Sequence, residues 1–275
     1  AQYYGRMVSQ MSSFKEWRGY DKLLLDRNNI LAAAQWCYKS IQKKTTAATL
    51  TKRTRDIAEI LVQFGLQFGS VLWQRAFWYD RLTLAHAALN AADLLSDWKS
   101  VSTFARNISW IYFYQGDYLR ALRWAEEALS ATTITEDKLL IAAAKRSLGT
   151  VELRLGNFDR SRSLLMDVLK TSEEFPKDDY GIYSMGFAQY GLGDLEYELG
   201  NMENAREWYQ KALVTWQDPA RKDPIRHISY ALNGLGFVEL KEKNYEEAKR
   251  LFTEGIQSAE EFGRVDELAR GQFGL

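Results

Sequence analysis

Cysteine occurs once in the 275 residues, at Cys37, so no intramolecular disulfide framework is possible and a reducing, cytoplasmic setting is expected. Histidine occurs twice, at His86 and His227. Neither has a Cys or acid at ligand spacing, and Cys37 has no histidine near it in sequence. No metal site and no cysteine nucleophile is therefore expected. The chain has three prolines, Pro176, Pro219 and Pro224, all in connections between predicted helices, where proline is tolerated. No apolar run approaches a membrane-spanning length, and the N-terminus has no signal-peptide pattern. No G-x-x-x-x-G-K-[ST] stretch is present, so this chain does not bind a nucleotide through a P-loop. Lys+Arg and Asp+Glu are 36 each, a balance that argues against a dedicated nucleic-acid binder. The charge is uneven all the same. Residues 1–60 carry 11 basic and 5 acidic residues, against 25 and 31 in the remainder, as a solvated basic helix face or a docking surface for an anion would.

What the chain has is repetition. Ile108 to Leu129 reads as two helices joined by a tight turn at Gln115-Gly116-Asp117. Tyr118, Ala121, Leu122, Ala125, Ala128 and Leu129 fall at the i, i+3, i+4, i+7 spacing of an amphipathic helix. Ser109 is small where the two helices must cross. Ser147–Leu169, Gly191–Leu213 and Gly234–Ile256 repeat the scheme, with Lys243 in place of the turn glycine in the last. Phe68–Leu89 is a degenerate copy, and Ala269–Leu275 begins another. The equivalent small residues are Gly69, Ser109, Gly149, Gly193, Gly236 and Gly274, spaced 40, 40, 44, 43 and 38 residues apart. A helix pair of this kind cannot bury its apolar faces alone and needs stacked neighbours.

The pattern L-G-x-x-x-x-x-x-G-[DN]-[YF]-x-x-A, followed by A-L, resembles the tetratricopeptide repeat. Gly116-Asp117-Tyr118 with Ala121, Ala128 and Leu129 carries it most plainly. Leu192-Gly193 with Gly200-Asn201, and Asn244-Tyr245 with Ala248, carry it again. The resemblance implies an all-α, right-handed superhelical solenoid of helix-turn-helix repeats. We expect a helical capping segment over residues 1–60, five repeats over 61–265, and the start of a truncated sixth over 266–275. Within the first segment, Tyr4, Met7, Val8 and Met11 suggest helix, and Thr45, Thr46, Thr49 and Thr51 a loop or helix start. Glu152, Glu196 and Glu239 recur at a repeat position that is often aromatic, and their repetition points to architecture or a shared face.

A second resemblance lies upstream. The run from Asp26 to Trp36, with its Asn28-Asn29 and Ala32-Ala33-Ala34, resembles the segment that precedes the sensor repeats of STAND-type signal-transduction ATPases. Arg55–Leu89, with Phe77-Trp78-Tyr79, is similar to the first sensor repeat of NB-ARC-like and maltose-regulator-like members. This resemblance implies the sensing part of a larger regulator. A nucleotide would then bind an upstream domain in the parent protein, which is also a possible partner, and no cofactor is expected in this chain.

No residues assemble a catalytic constellation, so an enzyme is not expected. In stacked helix pairs the first helices line the concave face, where extended segments bind. Tetratricopeptide geometry would place Trp73, Arg106, Trp110, Tyr114, Arg146, Thr150, Arg154, Tyr190, Asp194, Glu198, Asn233 and Phe237 there. Arginine and aromatic side chains are the usual anchors of a binding surface. The expected function is a non-enzymatic sensor and protein- or peptide-interaction module, whose partner carries an acidic or aromatic group. The alternative is a stand-alone peptide receptor or assembly scaffold with no attached ATPase. Neither a nucleic acid nor a membrane is an expected partner.

Overall fold

The computed structural model describes residues 21–42, 50–175, 178–217 and 227–275. The expected helix on Tyr4, Met7, Val8 and Met11, the threonines Thr45, Thr46 and Thr49, and all three prolines lie outside the described residues. Those residues form α-helices and their connections, with no strand. None of the helices is long and apolar enough to cross a membrane.

Two compact units divide the chain, Ala1–Glu136 and Asp137–Leu275. The first holds α1 (Asp21–Leu25) and α2 (Arg27–Ile41), then the hairpins α3–α4 (Lys52–Gln74, Trp78–Leu94) and α5–α6 (Trp98–Tyr114, Tyr118–Thr132). The second holds the hairpins α7–α8 (Lys138–Arg154, Phe158–Glu173), α9–α10 (Asp179–Glu198, Met202–Trp216) and α11–α12 (Ile228–Lys241, Tyr245–Glu261). It ends on the single helix α13 (Val265–Gly274). Consecutive helical hairpins are thus the architecture, all-α throughout the described residues.

The first hairpin begins earlier than the sequence suggested. Thr51 caps α3 by accepting a hydrogen bond from the Thr54 amide at 3.2 Å, as a good N-cap residue does. From there Ala58, Leu61, Phe64, Phe68 and Leu72 continue one buried face, so the expected boundary at residues 60–61 falls inside α3. Helix α2 packs on α3 and α4, with Ile30 and Cys37 inside the shared core. Burial pushes the Cys37 thiol up to about 11, which leaves it without the thiolate needed for reactivity.

Each hairpin turns through one residue in the left-handed region. Gly116, Gly156 and Gly200 fill that place, with φ of 76°, 80° and 82°, while Ala76 and Lys243 adopt φ of 57° and 65° there. Only glycine does so without steric cost. Seven residues before that turn, the chain must be small for the helices to cross. A Cβ on Gly193 would meet Tyr209 Cδ1 at 2.6 Å, and one on Gly236 would meet Phe252 Cε1 at 2.7 Å. Gly149 is close to Leu165, and the buried Ser109 donates to the Ala121 carbonyl at 2.8 Å. Gly69 breaks the series. A Cβ there would meet nothing within 4 Å, and the tight crossing moves one turn back to Gly65, whose Cβ would lie 2.5 Å from that of Ala88.

The recurring glutamates act in the turns. Asn157, Asn201 and Asn244, each following the left-handed residue, donate from Nδ2 to Glu152, Glu196 and Glu239 at 2.6, 2.8 and 2.7 Å. Each buried carboxylate also meets an arginine: Arg160 for Glu152, Arg162 for Glu196 and Arg206 for Glu239. The last two come from the second helix of the preceding hairpin, so the same glutamate closes its own turn and ties adjacent hairpins together.

Candidate functional site

In the first unit, the expected Trp73, Trp110 and Tyr114 come together with Trp78 and Phe113. Ring centroids lie 4.9 Å apart for Trp73–Trp78, 5.2 Å for Trp73–Tyr114 and 6.2 Å for Trp110–Tyr114. Arg106 stands one turn before Trp110 on α5 and is half-buried. His86 is part of the fold instead, its ring 5.1 Å from that of Trp124 and its pKa lowered by burial.

In the second unit, the first helices of successive hairpins stack beside one another, and this brings several expected residues into one network. Asp194 on α9 is its centre. It accepts from the Tyr209 hydroxyl at 2.6 Å and from Arg270 Nη2 at 3.4 Å, with Arg154 Nη2 at 3.7 Å. Arg154 also donates from Nη1 to Glu198 at 3.0 Å. Arg270 reaches the Tyr190 hydroxyl through its other nitrogen, and its guanidinium lies 5.3 Å from the centre of the Phe237 ring. Asn233 donates from Nδ2 to Glu267 Oε2 at 2.8 Å and to the Glu267 carbonyl at 2.9 Å. Five expected residues (Arg154, Tyr190, Asp194, Glu198 and Asn233), with Phe237 beside them, therefore share one constellation.

Arg146 and Thr150 are placed otherwise. Arg146 stands two turns upstream of Arg154 on α7, buried, with its guanidinium 4.8 Å from the Phe187 ring centre and 5.4 Å from that of Tyr183. Thr150 donates from its hydroxyl to the Arg146 carbonyl at 3.0 Å. The Arg146 side chain is thus part of the packing around Phe187, which corrects the expectation that it lines an open groove. His227 joins the same aromatic shelf, 5.1 Å from Tyr183 and 5.0 Å from Phe187.

The residues that sequence reasoning missed are Arg270 and Glu267 on α13. Their i, i+3 spacing was visible, but their partners on α9 and α11 lie tens of residues away. Burial works against the Arg270 charge, yet Tyr190, Asp194 and Glu267 outweigh it and hold the guanidinium protonated. Burial likewise raises the Tyr190 and Tyr209 hydroxyls well above their ordinary range. Burial also pushes the Glu267 carboxyl up to about 7, against the opposing pull of Arg270. Because this folded pKa lies above the ordinary 4.5, folding favours the protonated acid. That contribution is complete below about pH 4.5 and disappears as pH climbs to about 7. The stability of the native chain relative to Glu267→Gln should decline across this window, by on the order of 3 kcal/mol at most. Urea melts of the two proteins at stepped pH measure it, and a constant gap between them would contradict the burial of this carboxyl.

Among the described residues, no group of three or more His, Cys, Asp or Glu is placed to hold a metal ion. The tetratricopeptide repeat family model matches residues 102–174 and again 140–213, so this part of the chain carries tetratricopeptide repeats. No curated protein sequence matches the chain. Several solved structures are similar in fold. A Rap protein complexed with competence and sporulation factor is 16% identical with a TM-score of 0.65, over 80% of this chain and 62% of the Rap chain. Aspartyl phosphate phosphatase F from Bacillus subtilis is 15% identical with a TM-score of 0.63, over 100% of this chain and 73% of its own. NprR in complex with its cognate peptide NprX is 14% identical with a TM-score of 0.62, over 92% and 68%. At these identities the likeness is one of fold.

Proposed function

We propose that this chain is a peptide- or protein-interaction module whose partner segment lies along the first-helix face of the second unit, across Arg154, Glu198 and Phe237. Asn233, expected on this face, is fully buried and held by Glu267 beneath it. The observation that carries this reading is the support beneath Arg154. Asp194 is fixed by Tyr209 and Arg270, and it holds the arginine fork in one orientation, so little conformational freedom remains to be lost on binding. The Rap and NprR chains of similar fold are complexed with a factor and a cognate peptide. An acidic partner group suits the site in one specific way. The Glu198 side chain, 45% exposed, occupies Arg154 Nη1, and an incoming carboxylate would replace it there. Arg146, buried against Phe187, takes no part.

The test is to select binders from a random peptide library displayed on phage, then titrate a labelled selected peptide. Arg154→Ala should weaken it about tenfold or more, equivalent to ~1.4 kcal/mol. Glu198→Gln should strengthen it, because the competing carboxylate has lost its charge, while Arg123→Ala on an exposed face should leave it unchanged. If Arg123→Ala weakens binding and Arg154→Ala does not, this face is the wrong one.

The finer reading makes the module the sensing part of a larger STAND-type regulator, with a nucleotide held by a domain outside this chain. It rests on the resemblance of Asp26–Trp36 and Arg55–Leu89. Sequencing the gene upstream of Ala1 decides it. An encoded G-x-x-x-x-G-K-[ST] stretch supports the regulator, and its absence leaves the stand-alone receptor or scaffold.

A further inference from the structure

Five residues after its left-handed turn residue, each later hairpin places a small, fully buried side chain against the facing helix: Ala121, Ser161, Ala205 and Ala248. In the first hairpin the same position, counted from Ala76, is Arg81. The residue is only 7% exposed. The guanidinium carbon lies 4.1 Å from the centre of the Trp73 ring. Trp78 and Tyr114 pack on Trp73, with ring centroids 4.9 and 5.2 Å from it. Nε and Nη1 of Arg81 have no hydrogen-bond partner among the described residues. Asp80, the adjacent acid in sequence, is engaged by Arg27 at 2.8 Å. Facing this position in the hairpin register is Gly69, beside which the space for a Cβ is open.

A buried cation facing aromatic walls with two of its nitrogens unsatisfied is unfavourable unless an acceptor arrives. Burial already brings the guanidinium down to about 9, so its charge is held under strain. Burial of Arg81 strengthens any ion pair formed there. A carboxylate is planar and accepts two parallel N–H bonds, so it matches a guanidinium edge. We propose that Arg81, with Trp73, Trp78 and Tyr114, forms a carboxylate-binding site in the first unit. The ligand is either a free small carboxylate or the terminal carboxylate of a peptide. This site shares no residue with the face proposed for the second unit and stands or falls separately.

Tryptophan emission and thermal melting of the whole chain test it, because Trp73 and Trp78 report directly. The probes are sodium benzoate, acetyl-Gly-Gly-Phe as free acid, and the same peptide as its amide, at fixed ionic strength. For the native chain, one or both carboxylates should shift the emission saturably and raise the melting temperature, and the amide should do neither. Saturation by benzoate assigns the free small carboxylate, and saturation by the peptide acid alone assigns the peptide terminus. Arg81→Ala introduces the residue found at this position in three of the four other hairpins and should abolish both responses while folding normally. Arg81→Lys keeps the charge without the planar fork and should bind at least tenfold more weakly. No saturable response to either carboxylate, an equal response to the amide, or an undiminished response in Arg81→Ala overturns the proposal.

Discussion

Replacing Tyr209 with alanine should cost about 3–5 kcal/mol, as truncation of a large buried ring does when its site cannot collapse. The ring is wedged between two helices that come close because both have glycine at the contact. A Cβ on Gly193 or on Gly234 would each lie 2.6 Å from a Tyr209 ring carbon. The void left behind would be bounded by rigid backbone on two sides. The hydroxyl adds a second loss, since it donates to Asp194, a buried carboxylate. Tyr209→Phe isolates that part and should cost about 1–2 kcal/mol. Gly193→Ala presses on the same ring from the opposite side and should cost about 1–3 kcal/mol through overpacking. In the double variant Gly193→Ala/Tyr209→Ala the added methyl enters vacated space, so the two losses should be less than additive. Denaturant melts of the native chain and the four variants give all these quantities. A loss below about 1 kcal/mol for Tyr209→Ala would mean the ring is not the wedge between α9 and α11.

The second large effect is expected for Arg270→Met, about 3–5 kcal/mol, because it removes one partner of a buried charge pair and leaves the others behind. Asp194 would keep Tyr209 and Arg154, but Glu267 would lose the cation that holds its pKa down. Its carboxyl should then move further up, and the loss of stability that begins near pH 4.5 should extend to higher pH. Adding Glu267→Gln to Arg270→Met should recover part of the loss, since a neutral amide needs no counter-charge. Hydrogen exchange offers an independent readout: the amides of Val265–Gly274 should open faster in Arg270→Met than in the native chain. If α13 stays as protected as before, its hold on α9 comes from apolar packing and not from the arginine.

Both predictions turn on residues that could be counted in the sequence but not joined there. Small residues at fixed intervals, left-handed turn positions and amphipathic spacing are local. Three or four residues along a helix return to the same face, and a glycine seven residues before a turn faces the helix that follows it. That is why the hairpins from α5 to α12, and the crossings at Ser109, Gly149, Gly193 and Gly236, were legible. The pairing of Glu152, Glu196 and Glu239 with asparagines five residues on is also local, and the recurrence of both residues at one repeat position was its visible trace.

The sequence by itself determined the repeat: its period, its turns, its all-α character and which helix face is apolar. Tertiary structure decided which polar side chains meet. Arg270 and Asp194 are 76 residues apart in the chain, and Arg270 and Tyr190 are 80 apart. Whether such a pair touches depends on how far each hairpin rotates against the next, and repeat spacing does not encode that rotation. Stacking likewise put Arg146 against Phe187, where the sequence suggested an open face. The position of Arg81 could be counted from Ala76, but its burial without a carboxylate emerged only from the three-dimensional packing. A charged side chain in a small-residue slot must either splay the helices or find a partner, and only the folded chain shows which of these occurs.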